Sequence, residues 1–168
     1  MRLIILGAGG FGRTVADIAG QLGRYESIRH LDDHPAEGVV GTLAEFQRFI
    51  DGETEMIPAF GNNGFRLEWC RRIKDAGGKL GTVVHPDAYV SPTAAIGEGT
   101  VVLPKAVVNT ACRVGMGCIV NLGVLIDHGC TIGDGCHICL GAIVKAENNL
   151  PEGLKIEAGQ VIENRHFV

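Results

Sequence analysis

The sequence has few aromatic residues, no excess of positive charge and no long apolar run. Six phenylalanines, two tyrosines and one tryptophan make up 5% of its 168 residues. Fifteen basic and nineteen acidic side chains, with no basic run, lack the positive patch that binds a phosphate backbone, so we expect no nucleic-acid partner. No stretch approaches the roughly 20 apolar residues of a membrane helix, and the first apolar segment runs into glycines instead of a cleavage site. These absences predict a cytoplasmic protein without membrane insertion.

Glycine is abundant, and the two halves of the chain differ in composition. The 25 glycines follow no G-X-Y period and accompany 46% hydrophobic residues, which predicts a folded, turn-rich chain instead of a collagen or a disordered segment. Only two of the nine aromatic residues, Tyr89 and Phe167, lie beyond residue 83. The core of the second half must therefore be narrow and aliphatic. We predict two domains, 1–83 and 84–168.

The second half repeats with a period of six residues. Every sixth residue from Val84 to Val168 is aliphatic. A small residue follows four positions after each of them from Ala88 to Ala142, and this second rule fails at Asn148. Neither the helical period of 3.6 nor the strand period of 2 gives this spacing, whereas a parallel β-helix with three short faces per coil does.

Three pairs of an aliphatic residue and a glycine recur 18 residues apart, at Ile96-Gly97, Val114-Gly115 and Ile132-Gly133. They resemble the hexapeptide repeat of left-handed β-helix acyltransferases. In that family residues 18 apart stack at the inter-strand spacing of about 4.8 Å, which implies about 4.5 coils here. Proteins of this class are usually trimers with active sites between neighbouring helices, so the resemblance also implies a homotrimer.

Four of the six cysteines form two pairs with the same 18-residue spacing. Cys112 is predicted to stack on Cys130, and Cys118 on Cys136, as rungs of small inward side chains. Packing in the core is one interpretation of these rungs, and a redox or metal-binding role is another. Because the chain lacks the paired C-x-x-C motifs of a zinc site, we predict no metal centre.

The first half begins with a strand, a glycine turn and a helix. Segment 2–6 is typical of a buried strand, residues 7–12 are the glycine-rich turn, and a helix is predicted from Arg13. Such a turn lets the backbone approach a phosphate, and Asp32 and Asp33 end the second predicted strand where a dinucleotide fold holds a ribose hydroxyl. The unit is only half of a dinucleotide fold. We predict a small Rossmann-like α/β domain. Its glycine turn has three interpretations: it binds a nucleotide sugar, it binds a nicotinamide cofactor, or it is purely structural.

A second resemblance spans nearly the whole chain. The motifs that carry it are Gly7-Ala8-Gly9-Gly10-Phe11-Gly12, Asp32-Asp33, Phe60-Gly61-Asn62-Asn63 with Arg66, His85-Pro86 and the hexapeptides. In this order they resemble the PglD/NeuD group of bacterial sugar acyltransferases. The resemblance implies a β-helix that binds acetyl-CoA and a small domain that holds a nucleotide-linked amino sugar. The implied nucleotide-site residues are Gly9, Gly10, Phe11, Asp32, Asp33 and Asn62.

The segment from Asn121 to Cys130 resembles the asparagine-to-histidine stretch of that group, with His137 nine residues after His128. His128 occupies an outward hexapeptide position, and imidazole suits a base that removes a proton from an attacking amine at neutral pH. The N–H of Ala146, one coil beyond His128, is the candidate donor to the oxyanion. By the same resemblance, Asn121 and a neighbour's His137 would orient the sugar. The residues expected to meet CoA are Ala146, Lys145 and Lys155.

Two departures from the group keep other functions open. Gly129 stands where the group follows its histidine with Asp or Glu, and the repeat stops in the fifth coil. A second hypothesis is therefore a catalytically impaired, trimeric protein that binds sugar nucleotides or assists assembly. A third is a metal enzyme of the γ-carbonic anhydrase kind, although the histidines lack the spacing that it needs.

Overall fold

A computed structural model describes residues 1–168 as a small α/β domain followed by a left-handed parallel β-helix. The four strands of the α/β domain are parallel, in the order β2-β1-β3-β4, and this confirms the predicted Rossmann-like unit. None of the helices is both long enough and apolar enough to cross a membrane. The elements are β1 (Arg2–Leu6), α1 (Gly10–Gln21), β2 (Ser27–Leu31), a 3-10 helix (Leu43–Phe49), β3 (Thr54–Pro58), α2 (Asn63–Asp75) and β4 (Lys79–Leu80).

The β-helix has three faces, each a stack of two-residue strands. The domain face consists of β5 (Val83–Val84), β8 (Val101–Val102), β11 (Ile119–Val120), β14 (His137–Ile138) and β17 (Lys155–Ile156). The apolar face consists of β6 (Tyr89–Val90), β9 (Val107–Val108), β12 (Leu125–Ile126), β15 (Ile143–Val144) and β18 (Val161–Ile162). The polar face consists of β7 (Ala95–Ile96), β10 (Arg113–Val114), β13 (Thr131–Ile132) and β16 (Asn149–Leu150). The sheets therefore form four coils and two strands of a fifth.

Residues 18 apart pair in every stack, as the sequence predicted. Ile119, for example, pairs with Val101 on one side and His137 on the other. The period-six aliphatics from Val84 to Ile162 and the small residues between them fill one core, whereas Val168, the last of the series, is exposed. The predicted inward cysteine rungs are confirmed. The four thiols are free and buried, and each Sγ–H faces a backbone carbonyl one coil further on. They are Cys112, Cys118, Cys130 and Cys136.

Three corners connect the faces. The asparagine corner joins the domain face to the apolar face and includes turns 103–106, 121–124 and 139–142. The histidine corner joins the apolar face to the polar face and includes turns 109–112, 127–130 and 145–148. The glycine corner leads back to the domain face through turns 97–100, 115–118, 133–136 and 151–154. The third residue of each of these turns has a positive φ, from +59° to +74°. Glycine suits that conformation, but Lys105, Ala111 and Glu147 also adopt it.

The α/β domain packs on two sides of the β-helix. Side chains of β1 and α1 share a buried cluster with the outward residues Val83, Val101 and Ile119 of the domain face. Helix α2 lies against the glycine corner, where a Cβ on Gly135 would come within 3.0 Å of Leu67. At Gly135, glycine is thus favoured by its positive φ and required by the close approach of α2.

The C-terminal end closes the last coil with its own residues. Asn148, where the small-residue rule fails, is fully buried and donates to the carbonyl oxygens of Lys145 and Glu163, both at 2.8 Å. Its side-chain oxygen accepts the Phe167 N–H at 2.9 Å, and Phe167 packs against the core. The departure from the repeat therefore satisfies the backbone at the end of the helix.

Candidate active site

The glycine turn after β1 leaves its backbone exposed at the start of α1. Gly12 is buried against Gly7, since a Cβ on Gly12 would lie 2.1 Å from the Gly7 carbonyl oxygen. Gly9 and Gly10 face open space, with no atom within 4 Å of where a Cβ would be. The first N–H groups of a helix have no intrahelical partner, so this turn can donate hydrogen bonds to an anionic group.

A cavity of about 230 Å³ opens beside the glycine turn, lined by Ala8, Gly9, Asp32, His34 and Ala36. The Asp32 carboxylate accepts the N–H groups of Ala8 at 2.7 Å and His34 at 2.9 Å. Partial burial opposes ionisation, but these hydrogen bonds outweigh it and hold the pKa of Asp32 below its usual value. Asp32 is therefore a carboxylate that fixes the shape of this cavity.

The other residues proposed for the nucleotide do not line the cavity. Gly10 lies one residue beyond it, and Phe11 is half-buried against the cluster between the two domains. Asp33 accepts the Leu43 N–H at 3.0 Å, and Asn62 caps α2 by accepting the Phe65 N–H at 2.9 Å. Asp33 and Asn62 thus have local structural partners, and their contact with a nucleotide stays a prediction.

Asn121 and His137 meet where the domain face turns into the asparagine corner. Asn121 Nδ2 lies 3.0 Å from His137 Nε2, while its Oδ1 accepts the Leu122 N–H at 2.8 Å. This network makes Nδ2 the donor, so Nε2 is the unprotonated nitrogen and Nδ1 carries the proton. The contact joins residues of one chain, whereas the sequence analysis assigned the sugar-orienting role to a neighbour's His137.

The surroundings of His137 keep its ring neutral. Burial, reinforced by the charges of Arg66 and Lys155, lowers the pKa of His137 to about 4. A protonated ring would also place an Nε2–H against the amide N–H of Asn121. His137 is therefore a hydrogen-bond donor through Nδ1 at neutral pH and not a cation.

His128 is exposed at the second position of its turn in the histidine corner. Asp127 does not hold the His128 ring, because its Oδ1 accepts the backbone N–H of His128 at 2.7 Å and the side chain of Asn109 at 3.2 Å. Gly129 places no carboxylate beside the ring. The imidazole is therefore accessible to a substrate and has no hydrogen bond from its own chain.

One backbone donor beside His128 is free. In turns 109–112 and 127–130 of the histidine corner, the Asn109 and Asp127 side chains accept the N–H of the next residue, both at 2.7 Å. Lys145 occupies the same place one coil on and carries no acceptor, so the N–H of Ala146 has no partner in the chain. Ala146 is only 7% exposed, and an unpaired donor in that environment favours an anionic acceptor.

A groove of about 290 Å³ runs along the apolar face to this corner. Its apolar wall includes Val107, Leu125 and Ile143, and its polar end includes Asp127 and Lys145.

Lys145 and Lys155 do not converge, because Lys145 lies at the histidine corner and Lys155 on the domain face. Each is ion-paired, Lys145 with Glu163 at 2.6 Å and Lys155 with Glu157 at 2.9 Å.

The histidines and cysteines form no group of three that could hold a metal ion. The predicted catalytic residues form two sets within one chain. His128 and Ala146 share the histidine corner, and Asn121 and His137 share the asparagine corner.

The oxyanion donor at Ala146 was predicted from its place one coil beyond His128, but Asn109 had no predicted role and neither had the loss of an acceptor at Lys145 that leaves this N–H free. The 18-residue series Asn109, Asp127 and Lys145 is the signal that identifies it. Arg66 was noted only as part of a motif, and nothing in the sequence shows that it is buried.

Known proteins resemble this chain in both halves. Residues 2–73 match the family model of the PglD N-terminal domain. The acetyltransferase domain of PglB from Neisseria gonorrhoeae FA1090 is 33% identical, with a TM-score of 0.87 over 97% of this chain and 91% of that chain. The structure of that domain in complex with acetyl coenzyme A is 32% identical, with a TM-score of 0.83 over 98% of this chain and 93% of that chain.

A third similar structure is a mutant of perosamine N-acetyltransferase from Caulobacter crescentus in complex with CoA and GDP-perosamine. It is 24% identical, with a TM-score of 0.85 over 98% of this chain and 89% of that chain. At this identity the likeness establishes a shared fold.

Proposed function

The chain belongs to the PglD-like sugar acyltransferases of the left-handed β-helix superfamily, and on that premise we propose that it acetylates a nucleotide-linked amino sugar. Acetyl-CoA is the co-substrate, in keeping with the gonococcal domain crystallised with it. The Caulobacter enzyme, which binds GDP-perosamine, supports a nucleotide sugar as the acceptor. The observation that carries the mechanism is the exposed His128 next to the unpaired N–H of Ala146.

His128 acts as the general base. The sugar amine attacks the thioester carbon, a C–N bond forms, and a ring nitrogen of His128 accepts the proton that the amine loses. The C–S bond then breaks, and CoA leaves as a thiolate that takes up a proton. Imidazole suits this role because its ordinary pKa lies close to neutral pH.

Ala146 stabilises the charge that develops during the attack. The thioester oxygen becomes an oxyanion, and a fixed N–H donor binds it more strongly than it binds the neutral carbonyl. Lys145 leaves this donor free because it cannot accept the Ala146 N–H as Asn109 and Asp127 do for their neighbours.

The acceptor extends from the α/β domain to the β-helix. The nucleotide occupies the 230 Å³ cavity beside Gly9 and Asp32, close to the N–H groups of the glycine turn. Phe11 of the glycine turn packs against the cluster that includes Ile119, two residues before Asn121, and we propose that the acceptor extends in this direction to the asparagine corner. There Nδ1–H of His137 donates to the sugar.

Two further copies of the chain complete the site in a cytoplasmic homotrimer. The outward residues of the apolar face form a continuous ladder of aliphatic and aromatic side chains, three of them 43–55% exposed. A soluble monomer rarely leaves such a surface uncovered. Because His128 and the Asn121–His137 pair lie at different corners of one chain, we place the reaction where the histidine corner of one copy meets the asparagine corner of the next. The ladder consists of Tyr89, Val107, Leu125, Ile143 and Val161.

Two observations favour the second candidate, a trimeric binding or assembly protein with impaired catalysis. Gly129 supplies no carboxylate to orient His128. The three basic side chains closest to the last coil are also neutralised by carboxylates, in the pairs Lys145–Glu163, Lys155–Glu157 and Arg165–Glu147.

The test combines calorimetric titration with acetyl-CoA and a thiol-release assay on a panel of UDP- and GDP-linked amino sugars. We expect saturable micromolar binding and turnover with at least one acceptor. His128→Ala should lower kcat by about 10²–10⁴-fold without weakening acetyl-CoA binding. His166→Ala replaces another exposed histidine and is the matched control. Binding of sugar nucleotide without turnover would favour the assembly protein, and a wild-type kcat in His128→Ala would remove His128 as the base.

A further inference from the structure

Arg66 of α2 is a buried cation without a carboxylate partner. Its side chain is among the largest that are fully buried, with 1% of the residue exposed. Burial opposes the charged form and lowers the pKa of the guanidinium, but arginine stays protonated in proteins. Such a charge is costly to bury, and apolar side chains of similar size often pack in such places at no loss of stability. The charge therefore needs an explanation beyond filling space.

The guanidinium joins two loops of different domains. Toward the α/β domain, it donates to the Phe60 carbonyl oxygen at 2.8 Å and to Asn63 Oδ1 at 3.0 Å. Phe60 belongs to the loop between β3 and α2, at the carboxyl edge of the parallel sheet, where ligands of such folds bind, and Asn63 is the first residue of α2.

Toward the β-helix, the same group binds two successive turns of the glycine corner. Arg66 Nε donates to the Gly117 carbonyl oxygen at 2.7 Å, and Nη2 donates to those of Gly135 at 2.8 Å and Cys136 at 3.3 Å. Only the planar fork of an arginine can serve five acceptors in these directions at once. A lysine would keep the positive charge but could not donate to the acceptors of both domains at once.

The turn that Arg66 holds leads directly into His137. Gly135 and Cys136 are the two residues before β14, and His137 is the first residue of that strand. A shift of their carbonyl groups would move the His137 ring relative to Asn121.

The loop after β3 packs against the glycine turn, since a Cβ on Gly7 would lie 3.1 Å from the Ala59 carbonyl oxygen and 3.3 Å from the Phe60 ring. We infer that Arg66 is a positioning residue that fixes this loop to the turn before His137, and so sets the distance between the nucleotide cavity beside the glycine turn and the sugar-orienting pair. This inference rests on the proposed function for its substrate, but the coupling itself is a property of the fold.

The same contact has an electrostatic consequence. The charged groups that face His137 are Arg66 from α2 and, from β17 and the turn after it, Lys155 and Glu157. Arg66 is the buried one of these three, so it is the least screened by solvent. It therefore helps to keep the His137 ring neutral.

Two variants test the hydrogen-bonding geometry of the Arg66 guanidinium and its positive charge separately. Arg66→Lys keeps the charge and removes the fork, so we expect KM for the nucleotide sugar to rise about tenfold while acetyl-CoA binding is unchanged. Asn63→Asp keeps an acceptor for Arg66 and places a carboxylate against it, so the pKa of His137 should rise by about one unit. It also removes the hydrogen bond from Asn63 Nδ2 to the Gly153 carbonyl oxygen, so its thermal stability is measured alongside. The pKa is measured by NMR titration of ¹⁵N-labelled histidine, with the His137 signal assigned by its loss in His137→Gln.

Arg71→Met is the matched control, because Arg71 lies on the same helix and its ion pair with Glu152 is an exposed contact to the same β-helix. It should change neither KM nor the pKa of His137. A folded Arg66→Lys with lower thermal stability but wild-type KM would reduce Arg66 to a structural role and overturn the inference.

If Arg66→Lys does not fold, Asn63→Asp decides, and an unchanged His137 pKa together with an unchanged KM overturns the inference. A wild-type protein without turnover would contradict the proposed function, and the NMR titration would then decide the coupling alone.

Discussion

The glycine corner and the histidine corner have the same backbone turn but opposite surroundings. Gly135 and Gly129 hold the third position of their turns with φ values of +67° and +68°. Gly135 is buried beneath Leu67 of α2, whereas Gly129 is exposed, with only the Glu147 side chain within 4 Å of an added Cβ. The repeat therefore provides the same backbone turn three times per coil. The residues packed around each turn decide whether that corner has a structural or a functional role.

The glycine corner and the histidine corner also differ in the hydrogen bonds that their backbone groups make. At the glycine corner, the carbonyl oxygens of Gly117, Gly135 and Cys136 accept hydrogen bonds from a buried guanidinium. At the histidine corner, the N–H of Ala146 is left without an acceptor. The N–H groups of Glu98, Asp134 and Glu152 at the glycine corner also lack an acceptor in the chain, so what distinguishes Ala146 is its burial and its place one coil beyond the exposed His128.

Among changes to the backbone contacts of the two corners, the largest expected effect comes from giving the free Ala146 N–H an acceptor. Lys145→Asn gives turn 145–148 the acceptor that Asn109 provides in turn 109–112, and the new side chain should bind the Ala146 N–H. Loss of one oxyanion donor typically lowers kcat by about 10²–10³-fold. Lys145→Met removes the same charge and the same ion pair but adds no acceptor. We expect the kcat of the asparagine variant, from steady-state kinetics, to be at least tenfold below that of the methionine variant.

Both variants should share any change in acetyl-CoA affinity, because both lose the Lys145 charge. Equal kcat values in the two variants would show that Ala146 does not bind the oxyanion.

The next effect is on stability and compares the two glycines directly. Gly129→Ala meets only the cost of a left-handed φ, about 1 kcal/mol. Gly135→Ala meets that cost and also a Cβ 3.0 Å from Leu67, so we expect about 2–4 kcal/mol in total. Urea denaturation at one fixed protein concentration measures both. Equal losses would mean that α2 can move away from the glycine corner, and the contrast between the corners would fail.

The β-helix was predictable from sequence because its register is a property of the backbone. A fixed coil of 18 residues determines which residues stack, so the inward Cys112–Cys130 rung followed from spacing alone. The same arithmetic would have found the ion pairs Lys145–Glu163 and Arg165–Glu147, which also lie 18 residues apart.

The contacts between the domains were not predictable in this way. Nothing in the local pattern of α2 shows that Arg66 faces the glycine corner, because that depends on how two separate units pack. Likewise, an asparagine such as Asn62 can either bind a polar ligand or cap a helix, and the structure shows that it caps α2. Which predicted ligands are free to bind depends on hydrogen bonds that spacing does not reveal.

The smallest effect concerns His137, which lies between the covered glycine corner and the asparagine corner. Its pKa of about 4 in the folded chain lies below the ordinary value of 6.5. As pH falls through the window from 6.5 to 4, the unfolded chain binds a proton that the folded chain does not, so the free energy of unfolding decreases. At pH values above 6.5 the His137 ring is neutral in both the folded and the unfolded chain, so it does not lower the free energy of unfolding. Allowing for its partly solvated ring, we expect a loss of about 1–2 kcal/mol by pH 4.5.

Urea denaturation of the wild type and of His137→Gln between pH 7.5 and 4.5 isolates this contribution, because carboxylates titrate in both proteins and cancel in the difference. The variant loses the Asn121 contact at every pH, but its unfolding free energy should fall less steeply with acid. Parallel curves would mean that His137 takes up its proton equally in the folded and unfolded chains. Arg66 and the burial of the ring would then have no effect on its charge, and the neutral Nδ1–H donor assigned to the sugar would be present only above the ordinary pKa of histidine.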